Sequence, residues 1–229
     1  MASYVQFDIC GLSPIEIIQK YFLYEIDKPM ILLGDYSHDN NDITQDNMLI
    51  AERIYEIKDV IESLKAFGAE ILGLTLTPVS RTGITKFGSN ACFKEYVKKL
   101  YSIYQVPVFI KNTNNRDLFL STPEEVIDFT KEFYLTFDGG ELNDVCDSDA
   151  DYAECYKKIN WNNVKELHVK HAKIENGTIH RSKDREEKIK VSSVIDYLKI
   201  VPYATFLFPS VAGAHMFEEV VKGLVDKLK

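Results

Sequence analysis

Ionisable residues stand at the carboxyl ends of almost every apolar run in this chain. Asp8 or Cys10 follows the first run, Asp35 the second with Tyr36 and His38 just beyond, and Thr77 with Arg81 the third. Lys111 with Asn112, Asp138 with Glu141, and His168 with Lys170 and His171 close the next three, and Ser210 the last. Carboxylates and imidazoles move protons, whereas an ammonium stabilises an enolate or, once neutral, forms an imine with a carbonyl. Loops that only keep a protein in solution need no such groups inside the last turns of strands, so the pattern points to a site. Lys111, Asp138 and His168 are the candidate catalytic residues. Asp35, His38, Arg81, Asn112, Glu141, Lys170, His171 and His180 are candidate substrate contacts. His38, in YSHDNND, also suits a solvated turn, and His215 after Val211-Ala-Gly-Ala suits a helix cap.

Positioning such residues takes an ordered set of elements. Strand-like runs at 4–9, 29–35, 70–77, 106–112, 133–138, 166–172 and 205–210 alternate with longer segments of helical period. That alternation is the pattern of βα units around a parallel sheet, in which ligands sit beyond the carboxyl ends of the strands. Ser13-Pro14-Ile15-Glu16 and Thr122-Pro123-Glu124-Glu125 each predict a helix start with a hydroxyl cap, a proline at the first position and a glutamate reaching back. Ile50, Ile54, Ile57, Ile61 and Leu64 recur at helical spacing and give the helix over 48–67 one apolar stripe. Tyr96, Leu100 and Tyr104 mark a shorter helix, and 214–229 reads as a closing amphipathic one. The acidic run Asp144, Asp147, Asp149 and Asp151 reads as a solvated loop, 183–190 as a charged surface stretch, and Asn176-Gly177 as a turn. Trp161 is expected at the surface of the turn Asn160-Trp161-Asn162-Asn163.

The 229 residues, 45% hydrophobic and 27% charged, fit one globular domain over 1–229, with no repeat or linker to divide it. A net charge of −8 and a pI near 5.2 argue against nucleic acid as partner, because that affinity comes from lysine and arginine. The four cysteines, Cys10, Cys92, Cys146 and Cys155, lack metal or redox spacing and read as core or surface thiols. The apolar runs are shorter than a membrane span, and no secretory signal opens the chain, so a soluble, cytoplasmic protein is expected.

Four segments resemble one family in their order. LTFDGGEL (135–142) is similar to the strand-end Asp-Thr-Gly-His motif of the xylose-isomerase-like TIM barrels, the superfamily of sugar isomerases, sugar epimerases and apurinic endonucleases. ELHVKHAKIENGTIH (166–180) resembles that family's next strand, VPVFIKNTNNRDLFLSTPEEVIDF (106–129) its preceding unit, and IESLKAFGAEILGLTL (61–76) the helix before its middle strand. The resemblance runs from about 29 to 210 and implies an α/β fold, a TIM-barrel-like parallel (βα) barrel. The first strand resembles the family's second, so the expectation is a barrel that either closes with seven strands or is incomplete, and in the second case edge strands are left to be covered or paired, which favours a homodimer.

The resemblance also implies one divalent metal held by a glutamate, an aspartate, a histidine and a second glutamate at successive strand ends. Carried over, the aspartate is Asp138 and the histidine His168, but the first glutamate is Lys111 and the second falls at Phe208 or Pro209. The histidine expected after the aspartate is Glu141, and the aspartate expected after the ligand histidine is His171. A charged lysine has no lone pair and repels a cation, so the expectation is no cofactor, with a divalent metal as the alternative. Three readings stay open: a metal-free sugar isomerase/epimerase-like or lyase site, a non-catalytic barrel binding a small sugar-like or anionic ligand, and a buried ion-pair network that ties strand ends together. A nucleic-acid role as in the endonuclease branch would need a trinuclear metal cluster, most of whose ligands are absent.

Overall fold

The computed structural model describes residues 4–9, 12–23, 30–35, 47–81, 89–169, 172–175, 178–181 and 201–206. The chain divides into two compact units, Met1–Lys111 with Asp117–Phe119, and Asn112–Arg116 with Leu120–Lys229. The division falls where composition shows no linker.

The first unit alternates strand and helix: β1 (Tyr4–Asp8), α1 (Pro14–Leu23), β2 (Met30–Asp35), α2 (Asn47–Ala66), β3 (Glu70–Leu76), α3 (Asn90–Tyr104) and β4 (Val108–Lys111). β1, β2, β3 and β4 pair in that order, all parallel. The apolar stripe of α2 is laid inward, with Ile57, Ile61 and Leu64 each at most 3% exposed. α2 then ends in a Schellman turn: Ala69 N–H donates to Leu64 O, Gly68 N–H to Lys65 O, and Gly68 takes a φ of 86° that glycine adopts without strain. At the start of α1 the expected capping box is present, Ser13 N–H donating to Glu16 Oε2 at 2.8 Å and Glu16 N–H to Ser13 Oγ at 3.4 Å. Arg53 of α2 holds the β1–α1 connection by donating to Ile9 O at 2.6 Å and Leu12 O at 3.4 Å. On β3, Gly73 has no side chain because the Phe109 ring lies where one would go; a Cβ there would stand 2.4 Å from the ring.

The second unit holds α4 (Pro123–Phe129), β5 (Leu135–Asp138), α5 (Gly139–Val145), α6 (Asp149–Lys158), a 3-10 turn at Trp161–Asn163, β6 (Val164–Val169), β7 (Ala172–Glu175), β8 (Thr178–Arg181) and β9 (Tyr203–Phe206). β6 lies between β5 and β9, parallel to both. α4 starts as expected, Thr122 Oγ1 accepting from Glu125 N–H, while Glu125 Oε2 takes the Ser121 N–H. Phe137 of β5 turns toward Tyr156 and Trp161, which meet its ring edge-on at centroid distances of 5.9 and 5.3 Å.

Several expectations change here. Of the strand expected over 166–172, the described part is Val164–Val169, while Ala172–Glu175 pairs antiparallel with Thr178–Arg181, Glu175 opposite Thr178. Asn-Gly between alternating residues is the strongest short-range hairpin signal, and the turn expected at Asn176-Gly177 falls between these two short strands. Most of the acidic run is helical rather than a loop: Asp144 lies on α5, Asp149 and Asp151 on α6, which Ser148 caps, and only Asp147 lies in the bend between the two helices. Trp161 is half-buried rather than superficial, because its indole N–H donates to Tyr156 O at 3.2 Å and its ring packs on Phe137. The strand expected over 205–210 is described only as Tyr203–Phe206, and the stretches 183–190 and 214–229 lie outside the described residues. No helix among the described residues is long and apolar enough to cross a membrane.

Candidate functional site

β5 and β6 bring four polar side chains onto one face. Thr136 is in register with Glu166 and Asp138 with His168, and all four are at most 2% exposed. This pairing depends on a bulge: Leu135 pairs with Val164 but Thr136 with Glu166, so Lys165 is an extra residue on β6. Side chains alternate along a strand, and without the extra residue Thr136 would meet Lys165 while Glu166 and His168 faced the other way. Lys165 stays in β6, its ammonium 4.8 Å from the Tyr134 ring centre and donating to Asn162 O at 2.6 Å.

At the floor of this face the Thr136 hydroxyl donates to Glu166 Oε2 at 2.9 Å, and Glu166 Oε1 lies 3.2 Å from His168 Nε2. Higher up, Asn112 clasps the end of β5 from both sides: its Nδ2 donates to Asp138 O at 2.9 Å and its Oδ1 accepts from Asp138 N–H at 2.7 Å. Asp138 Oδ1 accepts from Glu141 N–H at 3.1 Å, so the strand-end aspartate is also the cap of α5. At the exposed rim Glu141 Oε2 accepts from Asn114 N–H at 3.2 Å, and Asn114 Nδ2 donates to Asp144 at 3.0 Å. A polar column thus runs from the buried Thr136–Glu166–His168 contact through Asp138 and Asn112 to Glu141, Asn114 and Asp144.

Of the residues singled out in the sequence, Asn112, Asp138, Glu141 and His168 belong to this column. Lys111 ends β4 in the first unit, 3% exposed and two residues from Phe109. Arg81, also in the first unit, donates from Nε to Leu118 O at 2.9 Å and lies over the Phe119 ring, 4.9 Å from its centre. Asp35 closes β2, and His180 lies on β8 in register with Lys173. His38, Lys170 and His171 lie outside the described residues. Glu166 and Thr136 were not picked out beforehand. Alternation from His168 would have reached Glu166, but pairing it with Thr136 depends on the bulge.

A separate cleft of about 390 Å³ in the second unit is bounded by α4, the end of α5 and α6, and Cys146 and Cys155 face it beside Glu124, Asp147 and Asp151. Burial, then these neighbouring negative charges, push the Cys146 thiol up to about 11; burial, then Cys146 and Glu124, push Cys155 up to about 12. The thiols there are neutral and poor nucleophiles at ordinary pH.

Neither family models nor curated proteins match the sequence. Solved structures do match the fold. A D-tagatose 3-epimerase-like protein superposes with a TM-score of 0.60 at 16% identity, over 99% of this chain and 92% of that one. A xylose isomerase-like TIM barrel protein from Mycobacterium smegmatis in complex with magnesium gives 0.62 at 13% identity, over 100% and 86%. The IOLI protein with a binding zinc atom gives 0.57 at 14% identity, over 94% and 81%. The chain therefore has the parallel βα-barrel fold of the xylose-isomerase-like proteins.

Two of those structures are named with a metal ion, and the described residues of this chain include no complete set of ligands for one. Among the described residues no three histidine, cysteine, aspartate or glutamate side chains are grouped to hold an ion. Both oxygens of Glu166 are engaged by Thr136 and His168, and one oxygen of Asp138 caps α5.

Proposed function

Starting from a xylose-isomerase-like barrel fold, we propose that the carboxyl ends of β5 and β6 form a site for a small polyhydroxylated carbonyl compound. There His168 moves a proton at the carbon next to the carbonyl, without a metal. The observation that carries this reading is the buried Glu166–His168 contact, in register with Thr136 and Asp138 on one face of two strands. In this architecture that end of the sheet is where ligands bind. Proton removal beside a carbonyl and its return on the same or the neighbouring carbon is the step common to sugar epimerases and isomerases, and a positioned imidazole suits it. Asn112, Asn114, Glu141 and Asp144 supply hydrogen-bond groups for hydroxyls at and below the rim.

The test is proton NMR of a panel of aldoses, ketoses and hydroxyketones in deuterated water with the protein. The wild type is expected to wash deuterium into one C–H position, and His168→Gln to slow this about 100-fold or more. Absence of exchange across the panel, or equal exchange in the variant, refutes the catalytic reading.

One observation favours a second reading: the His168 and Glu166 side chains are fully inaccessible, as internal ties between strands are. A tie of that kind makes His168→Gln lose about 3 kcal/mol or more of folding stability, whereas a binding site costs little or gains stability on the same change. Urea unfolding of the two proteins separates them.

A further inference from the structure

We infer that Glu166 is a positioning residue which, held by Thr136, fixes the tautomer of His168 so that Nε2 carries the proton and Nδ1 carries the lone pair. The inference deepens the reading just given, since it identifies which nitrogen of His168 accepts a proton there, but it concerns the resting protein and its test needs no substrate.

The geometry leads to it directly. With Glu166 taken as a carboxylate, which only accepts hydrogen bonds, the 3.2 Å contact between its Oε1 and His168 Nε2 needs a hydrogen on Nε2. The other oxygen already accepts from the Thr136 hydroxyl at 2.9 Å, which keeps the carboxylate plane from turning away. In neutral imidazole one nitrogen donates and the other accepts, so a proton held on Nε2 leaves the lone pair on Nδ1. The bulge at Lys165 sets this up, because it alone brings Glu166 opposite Thr136 and His168 opposite Asp138. Burial makes the preference large: at 0% accessibility for both side chains, water cannot substitute for the carboxylate.

In this arrangement His168 receives a proton on Nδ1 while Nε2–H stays bonded to Glu166, and the carboxylate then stabilises the imidazolium that results. No proton passes to Glu166. Neither Glu166 nor Thr136 touches the reacting carbon in this account; they orient the base.

The experiment is a long-range proton–nitrogen correlation spectrum of protein labelled at its histidine rings, at neutral pH and without ligand. The His168 signals are identified among the five histidines by their loss in His168→Gln. A pyrrole-type Nε2 and a pyridine-type Nδ1 are expected. Glu166→Gln is expected to abolish that preference, giving averaged or reversed nitrogen shifts. Thr136→Val, which keeps shape and removes the hydroxyl, is expected to weaken it, with Thr136→Ser restoring the wild-type pattern. A proton on Nδ1 alone, or on both nitrogens in the wild type, overturns the inference. So does a tautomer unchanged in Glu166→Gln, or in Thr136→Val should the glutamine variant not fold. A fixed tautomer in a protein that exchanges no sugar proton would sustain this inference and refute the catalytic reading, so the two fail separately.

Discussion

Lys111 and Glu166 show how differently two buried charged residues enter the fold. Lys111 stands out in the sequence because it closes a strand where the resembling family keeps a glutamate, and it is 3% exposed at the end of β4. Of the two roles the sequence leaves open to it, stabilising an enolate or forming an imine with a carbonyl compound, the second has a direct test. Borohydride with a small ketose should then add one sugar less one oxygen, water being lost and two hydrogens gained, to the wild type and nothing to Lys111→Ala. No adduct, or the same adduct in both, removes that role. Glu166 drew no attention in the sequence, since it lies within an apolar run rather than at its carboxyl end. Its importance comes from a hydroxyl thirty positions away in the chain, 2.9 Å away in space.

At the scale of elements, the local signals were the reliable ones. Both Ser/Thr-Pro-x-Glu starts cap helices, and Gly68 ends α2 as a left-handed glycine should. Where a terminus departs from the preferred residue, a stability change is expected. α3 ends with Gln105 at φ 52°, a left-handed conformation that glycine adopts without strain and other residues adopt at a cost. Gln105 is exposed, so little packing opposes the change. Gln105→Gly is expected to raise stability by about 0.5–1 kcal/mol in urea unfolding; a decrease would mean that its side chain makes a contact worth more than the strain. The bulges at Lys165 and Leu72 are the opposite case. Nothing in the residues on either side announces them, because a bulge is a property of two strands paired together.

For the molecule as a whole, the thiols give a pH dependence whose sign can be worked out. Cys146 and Cys155 rise from an ordinary 9.0 to about 11 and about 12 in the folded state, mainly through burial. Below pH 9 both states keep these thiols protonated, so their contribution is fully present. Above it the unfolded chain ionises first, and stability falls as pH rises through the folded values. Thermal melts from pH 8 to 11 should show a falling midpoint, with a shallower fall in Cys155→Ala; equal slopes in the two proteins would show that Cys155 does not contribute. Thiol titration of the native protein should find Cys92, which is exposed, more reactive than Cys155, which is buried.

The alternation of parallel strands with helices, the starts of α1 and α4 and the family likeness could be read from the chain, because periodicity and capping depend on residues within one or two turns of each other; α5, α6 and the β7–β8 pair were not read from it. Asp138, Asn112, Glu141 and His168 could be listed as candidates for the same reason: each sits at or just past the end of an apolar run. Which of them meet could not be read, because side-chain register across a sheet shifts to the opposite face with one inserted residue, and that insertion is decided by pairing between strands far apart in sequence. Tertiary structure alone therefore set Glu166 against His168, and placed Lys111 and Arg81 in a different compact unit from the aspartate and the histidine.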